Sequence, residues 1–318
     1  MKPHVQREPL RRITWKVFID MLTPGAVLLS ALNPAVLGLL LSIQETGGVQ
    51  PVLAVFLLLI PAAANCAVNL LNDYYDYIGG NDTADNIVAE AEGPLAFHQV
   101  EDPAPALRYG AAFFAAACLM GIYVVCRCGP VPAVIGAFGA VITATYSGKW
   151  ISTSHLPVGE VLSGFTMGGL IPLAVYASLT GQLDWIVLWK AVPMMMVVSM
   201  FMLENNTCDM ERDAQAGRRT LPMFLGREGA QDLAKGMGVF WLGQLAVVTA
   251  WYFPLGLPAL AAAVWKARRG IRGVFRQPRT RDNKLRATAA VSGMAFWLSE
   301  GYLASVALHL ALYRFFLL

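Results

Sequence analysis

The sequence predicts an all-α polytopic membrane protein, a bundle of nine transmembrane helices with two Asp-rich motifs on its cytoplasmic face. Three observations lead there. Of 318 residues, 56% are apolar and only 14% are charged, against about 25% charged in an ordinary soluble domain. The mean hydropathy is +0.52. The apolar residues gather into long uninterrupted stretches, and two polar segments rich in Asp and Asn break them. Five cysteines are too few for a disulfide scaffold. A net charge of +3 is too small to argue for nucleic acid. Neither a disordered chain nor a soluble globule fits.

A helix needs about 20 mostly apolar residues to span a bilayer. Such stretches lie near 18–41, 52–71, 109–127, 131–147, 157–179, 185–203 and 236–253, with a short one at 254–265 and a long one at 288–316. Pro254 and Pro258 leave 236–265 open as either a helical hairpin or one kinked helix. The first stretch follows a basic segment as a signal peptide would, but it is too long for a cleaved apolar region and reads as a retained helix. The whole chain, 1–318, reads as one membrane domain.

Basic residues set the orientation. The N-terminus carries Lys2, Arg7, Arg11, Arg12 and Lys16. A loop at 266–286, between the eighth and ninth helices, carries Lys266, Arg268, Arg269, Arg272, Arg276, Arg279, Arg281, Lys284 and Arg286. An even number of helices before residue 266 puts both segments on one side, which the positive-inside rule makes cytoplasmic. The pattern suits a prokaryotic inner membrane. The 266–286 segment reads as a topology determinant or as a contact for anionic headgroups.

Both polar segments fall on that same side. The first follows the second helix and runs from Asn72 through Asp76 to Gly79-Gly80, Asp82 and Asp85; the second follows the sixth helix and runs from Glu204 through Asn205 and Asp209 to Asp213. Each opens Asn-x-x-x-Asp, a spacing that places both side chains on one helical face. Gly79-Gly80 predicts the end of the first helix, with Asp82 and Asp85 curling back from a loop. Two clusters of hard oxygen ligands at one surface suit Mg²⁺, which takes carboxylates, waters and substrate phosphates. Such clusters facing one another could hold a diphosphate between metal ions.

These motifs resemble those of the UbiA-type intramembrane prenyltransferases, and within them the 1,4-dihydroxy-2-naphthoate prenyltransferases of menaquinone synthesis. The resemblance rests on Asn72-Asp73-Tyr74-Tyr75-Asp76 with Asp82 and Asp85, on Asn205-Asn206-x-x-Asp209-x-Glu211-x-Asp213, on Tyr146-x-x-Lys149 and on Gly159-Glu160. It implies Mg²⁺ held by Asp76, Asp82, Asp85, Asp209 and Asp213. It implies a polyprenyl diphosphate on Asn72, Lys149, Asn205, Arg212 and Arg218, with Tyr146, Lys149, Asp76 and Asp209 at the chemistry. The reaction it implies is transfer of the prenyl group to an aromatic ring, with loss of CO₂ in the naphthoate branch. Asn69, Glu160 and Glu204 are the candidate acceptor contacts.

The chain departs from that pattern in its cations. No Lys or Arg occurs between Lys16 and Arg108, and Glu90 and Glu92 stand where the family has basic residues after the first motif. Cys208 stands where the naphthoate branch commonly has Arg. Lys149, Arg212, Arg218 and Arg219 remain to meet a diphosphate. Alternatives are the same chemistry on another ring such as 4-hydroxybenzoate, a transporter, or a non-catalytic scaffold; charges at one surface instead of the midplane argue against transport. Glu300 and His309, nine residues apart on the last helix, do not share a face. Glu300 reads as lining the cavity or as an interhelical hydrogen bond. Asn65 and Asn69 form a polar stripe below Asn72 that either lines a pocket or bonds a neighbouring helix.

Overall fold

The computed structural model describes residues 9–87, 89–146, 157–215 and 217–317. Among them there is no β-strand. Helix α1 spans Trp15–Thr46, α2 Pro51–Ile78, α3 Ala104–Cys128, α4 Pro130–Tyr146, α5 Gly159–Thr180, α6 Ile186–Cys208, α7 Leu221–Tyr252, α8 Leu257–Arg276 and α9 Lys284–Leu317. All but α4 and α8 are long and apolar enough to cross a bilayer. Helix α4 is apolar but short, and α8 is apolar only in its first half. The chain is an integral membrane protein.

The helix boundaries follow from local chemistry. Proline opens α2 and α4, where its missing N–H has no intrahelical partner to lose. Gly47 and Gly181 end α1 and α5 at φ 77° and 71°, a left-handed cap that glycine adopts without strain. Helix α1 breaks at Thr23 (φ 51°) just before Pro24. It then carries one π-helical stretch, Leu28–Leu32, that packs against a second in α5, Gly164–Leu170. Such wide turns cluster at functional sites.

The core is large and lies among α1, α5, α6, α7, α8 and α9, with Trp241, Tyr302, Phe253 and Met194 fully buried. Small residues allow close helix crossings: a Cβ at Gly168 would stand 2.3 Å from the Met195 backbone of α6. Helix α3 is peripheral, and its exposed Leu119 and Ile122 face outward with Val134 of α4 and Trp251 of α7, as lipid-facing surface requires.

One open alternative closes and one expectation changes. Helix α7 ends before Phe253 and the turn Pro254–Gly256 reverses the chain, so 236–265 is the hairpin of the two alternatives. The 266–286 segment is not a loop. Helix α8 carries Lys266 through Arg276 as helix, and only 277–283 is irregular or 3₁₀. The helix continues because 266–276 holds no proline and its apolar residues keep helical spacing: Ala267, Gly270 and Val274 are buried against α9.

Candidate active site

Helix α2 carries the first motif to its C-terminal end. Asn72 donates from Nδ2 to Asp76 Oδ2 at 3.0 Å, the contact that i,i+4 spacing predicts. Gly80 (φ 74°) then turns the chain, and the Asp82 amide returns to the Asp76 carbonyl at 3.0 Å. This puts Asp82 4% exposed beneath the loop. A Cβ at Gly93 would lie 2.7 Å from Asp82 Oδ2, so glycine there makes room for the carboxylate. Asp85 lies in the exposed turn that follows.

Helix α6 brings up the second motif. It stops at Cys208, Asp209 stands at the junction, and the short helix Met210–Gln215 presents Asp213, whose amide donates to the Asp209 carbonyl at 2.8 Å. Asp209 and Asp213 are both buried, whereas Asn205 is exposed.

Arginines tie the two motifs together. Arg212 donates to Asp82 Oδ1 (3.0 Å) and to Asp209 Oδ2 (2.9 Å). Arg218 donates to Asp76 Oδ1 at 2.8 Å, with Asp213 Oδ1 3.7 Å away. Each guanidinium therefore touches one carboxylate of each motif, and residues more than a hundred positions apart face one another.

Cations not expected here complete the cluster. They come from the segment between α8 and α9. Lys284 donates to Asp209 Oδ2 (2.7 Å) and pairs with Glu92 Oε1 (2.9 Å). Arg281 bonds Asp209 Oδ1, the Asn86 carbonyl and Glu92 Oε2 (3.0 Å). Arg279, 1% exposed, donates from Nε to Glu204 Oε2 at 2.7 Å. The acids of 90–92 thus receive cations instead of replacing them. Glu90 accepts from Lys16 and contacts His98 Nε2 at 2.6 Å, which pins this loop to α1. The usable signal in the sequence was a deficit: a site with many carboxylates, no cations from 17 to 107, and a surplus at 266–286.

Burial and charge oppose one another in these carboxyls. Burial pushes Asp82 and Asp213 each up to about 6, against the pull of Arg212 and Arg218. Burial also acts on Asp209, but Lys284, Arg212 and Arg281 together outweigh it and hold that carboxyl below its ordinary value.

The other expected residues are placed as follows. Asn65 donates to Ser30 Oγ (2.8 Å), and Asn69 donates to the Leu22 carbonyl (3.0 Å), so this stripe bonds α2 to α1. Glu160, 2% exposed, accepts from Asn206 Nδ2 at 2.7 Å. Glu204 is held by Arg279 and by Cys208 Sγ at 3.3 Å. Glu300 accepts from Asn33 Nδ2 at 2.8 Å, the interhelical alternative. Tyr146 ends α4, but its side chain and Lys149 lie outside the described residues.

Among the described residues, no three Asp, Glu, His or Cys side chains converge tightly enough to form a metal cage by themselves. The donor set nevertheless suits a hard cation. It is carboxylate oxygen throughout, drawn from two facing motifs, and buried Asp213 Oδ2 has no hydrogen-bond partner. Cations fill the space between the motifs as they stand. Arg218 Nε is also buried without an acceptor, a donor left over for an anion.

Comparison with known proteins decides the family. The UbiA prenyltransferase family model matches residues 31–299. This chain belongs to that family. It is a prenyltransferase of the membrane. It is 28% identical over 256 residues to the 1,4-dihydroxy-2-naphthoate octaprenyltransferase of Bacillus subtilis, covering 78% of this chain and 79% of that one. The UbiA prenyltransferase domain-containing protein 1 of Gallus gallus is 28% identical over 199 residues, 62% of this chain and 58% of that one. In fold, the chain matches a UbiA homologue from Archaeoglobus fulgidus bound to GPP and Mg²⁺, with a TM-score of 0.63 at 18% identity over 92% of this chain and 99% of that one.

Proposed function

We propose that this prenyltransferase moves a polyprenyl group from an allylic polyprenyl diphosphate to 1,4-dihydroxy-2-naphthoate, with decarboxylation, to give demethylmenaquinol, the reduced form of demethylmenaquinone. What carries this reading is the facing pair of carboxylate motifs with cations threaded between them, in a family whose relative from Bacillus subtilis is named for that acceptor. The whole chain, 1–318, acts as one membrane domain of nine helices, with the N-terminus and the Asp motifs cytoplasmic. The surplus of Lys and Arg at that end supports this orientation.

Asp76, Asp82, Asp85, Asp209 and Asp213 would hold Mg²⁺, with Asn72 and Asn205 on the same motifs assisting the diphosphate. Bound Mg²⁺ supplies Lewis-acid neutralisation of the charge that gathers on the leaving diphosphate. Arg212, Arg218, Arg281 and Lys284 exchange carboxylate partners for diphosphate oxygens when substrate arrives. The exchange conserves charge pairing, so buried cations are not left bare at any stage. Lys149, with Tyr146, adds to this set. Donors preorganised where charge develops stabilise the dissociating C–O bond most.

As that bond opens, the allylic carbon becomes cationic and the electron-rich ring attacks it. The ring then loses its carboxyl group as CO₂, the C–C bonding pair restoring aromaticity, so that carbon bears the prenyl group without a strong base. The apolar bundle below the site keeps water from the cation. Asn69 and Glu160 are the proposed acceptor contacts. Glu204 faces the same end, and through Arg279 it also anchors the cation-bearing segment.

The test is to incubate purified protein and Mg²⁺ with geranylgeranyl diphosphate and 1,4-dihydroxy-2-naphthoate and to look by mass spectrometry for the decarboxylated prenyl product. Its formation supports the assignment. Diphosphate release without that product would move the acceptor to another ring, and no release would remove the catalytic reading.

A further inference from the structure

The second half of α8 borders a groove outside the site just described. The groove has a volume of ≈ 630 Å³ and runs between α8 and α9. Its floor is made of small residues: a Cβ at Gly270 would stand 2.5 Å from the Met294 amide, and one at Gly273 would stand 2.4 Å from Ala290 Cβ. The helices therefore touch along the floor, and the long side chains on either side form the walls. Those walls are Lys266, Arg268 and Arg269 from α8 and Arg286 from α9. No carboxylate lines the groove, and among the described residues none of these cations has an ion-pair partner. The cations that enter the Asp cluster are all paired, so the contrast is local.

The level of the groove along α8 says what kind of anion it suits. Residues 257–265 carry no charge, and residues 266–281 carry Lys and Arg with no acid. The groove begins where the apolar run ends, which is where a bilayer passes from acyl chain to headgroup. Trp residues mark the same level. Trp265 is 64% exposed with the Arg268 guanidinium 4.0 Å from its ring centroid, and Lys266 Nζ lies 4.5 Å from the ring of Trp297 at the groove. Basic pockets between spanning helices on this side suit phosphate headgroups. A free anion would gain nothing from the apolar wall that continues outward through Trp265.

We propose that the α8–α9 groove binds the headgroup phosphate of an anionic phospholipid of the phosphatidylglycerol type, with its acyl chains lying along the apolar half of α8. Gln277 lines the groove, two residues before Arg279 and four before Arg281, so an occupied groove steadies the segment that delivers cations to the Asp motifs.

The test places full-length protein in phosphatidylcholine nanodiscs containing phosphatidylglycerol and counts retained lipid by native mass spectrometry. Arg269→Gln/Arg286→Gln removes two groove cations. Arg272→Gln/Arg276→Gln removes the same charge from α8 outside the groove. The first pair is expected to weaken phosphatidylglycerol binding roughly thirtyfold and the second only a few-fold, with prenyl transfer in pure phosphatidylcholine unchanged in both. An equal loss in both pairs would mean diffuse surface attraction and would overturn the groove. Displacement of the lipid by millimolar inorganic phosphate would overturn the lipid as occupant. In the unaltered protein, brominated phosphatidylglycerol should quench tryptophan fluorescence more than brominated phosphatidylcholine does; equal quenching would also count against the site.

Discussion

Residues 266–276 and 279–284 are chemically alike, and the structure uses them in opposite ways. In the first segment Lys266, Arg269, Arg272 and Arg276 stand exposed on a helix and, among the described residues, pair with no carboxylate. In the second Arg279 and Lys284 are buried, and with Arg281 they are bound to Glu204, Asp209 and Glu92. What separates them is where α8 stops. Gln277 leaves the helical region (ψ 128°) and Pro278 follows, so the chain turns from the bundle surface into the Asp cluster. Similar side chains thus stand exposed on a helix in one half and meet the carboxylates of a proposed diphosphate site in the other. Composition cannot divide such a run, but a helix end can.

Perturbing the two halves separately should sharpen this contrast. The largest effect belongs to the carboxylates that the second segment serves. Asp76→Ala or Asp209→Ala should lower prenyl transfer about a hundredfold or more while the protein still inserts. Turnover assays on the purified variants check this, and near-wild-type rates in both would remove the metal assignment. Next is Arg279→Ala, which strands Glu204 as an uncompensated buried charge. Breaking such a pair costs about 3–5 kcal/mol, so a marked drop in Tm is expected; Arg272→Ala on the exposed half should leave Tm nearly unchanged. Arg279→Lys, keeping the charge, should recover part of the loss.

A smaller effect should come from pH. Asp82 and Asp213, both pushed up to about 6, are ionised at pH 7.5 and protonated at pH 5. Raised carboxyls hold their protons more tightly than unfolded ones, so a bound cation must displace those protons in acid. Mg²⁺ affinity should therefore be steady above pH 7 and fall below pH 6, by up to about tenfold per pH unit for each proton released. Calorimetric titration of Mg²⁺ at several pH values checks the sign; tighter binding in acid would contradict it. The smallest effect is expected from Gly93→Ala, where the added methyl would stand 2.5 Å from Ile87 Cδ1 and 2.7 Å from Asp82 Oδ2, so that both side-chain ends must shift and the Mg²⁺ requirement rises modestly.

Much of the architecture was legible because a bilayer makes few demands and enforces them strictly. Runs near 52–71 and 185–203 mark α2 and α6 because a spanning helix must be long and apolar. The Asn72–Asp76 contact was legible because four residues is one helical turn. What stayed hidden was long-range or geometric. The meeting of Lys284 with Asp209, or of Arg212 with Asp82, depends on how helices pack, and no local pattern records it. The choice between hairpin and kinked helix at 236–265, and the helical character of 266–276, depend on burial against α9. The polar start of α7 at Leu221, with its kink at Gly226 (φ 70°), fell outside an apolar run and left no hydropathy signal. Likewise, the wide turns at Leu28–Leu32 and Gly164–Leu170 carry no residue pattern that distinguishes them from ordinary helix.

In the proposed function, Arg281 and Lys284 serve the diphosphate in place of the basic residues missing after the first motif. The direct measurement is binding of an unreactive thio-analogue of geranylgeranyl diphosphate, in Mg²⁺, to wild type, to Arg281→Gln/Lys284→Gln and to Arg272→Gln/Arg276→Gln. Loss of about a hundredfold in affinity in the first pair, with the second pair binding as wild type does, is the predicted result. Equal affinity in all three proteins would contradict the claim and return the diphosphate to Arg212, Arg218 and metal alone.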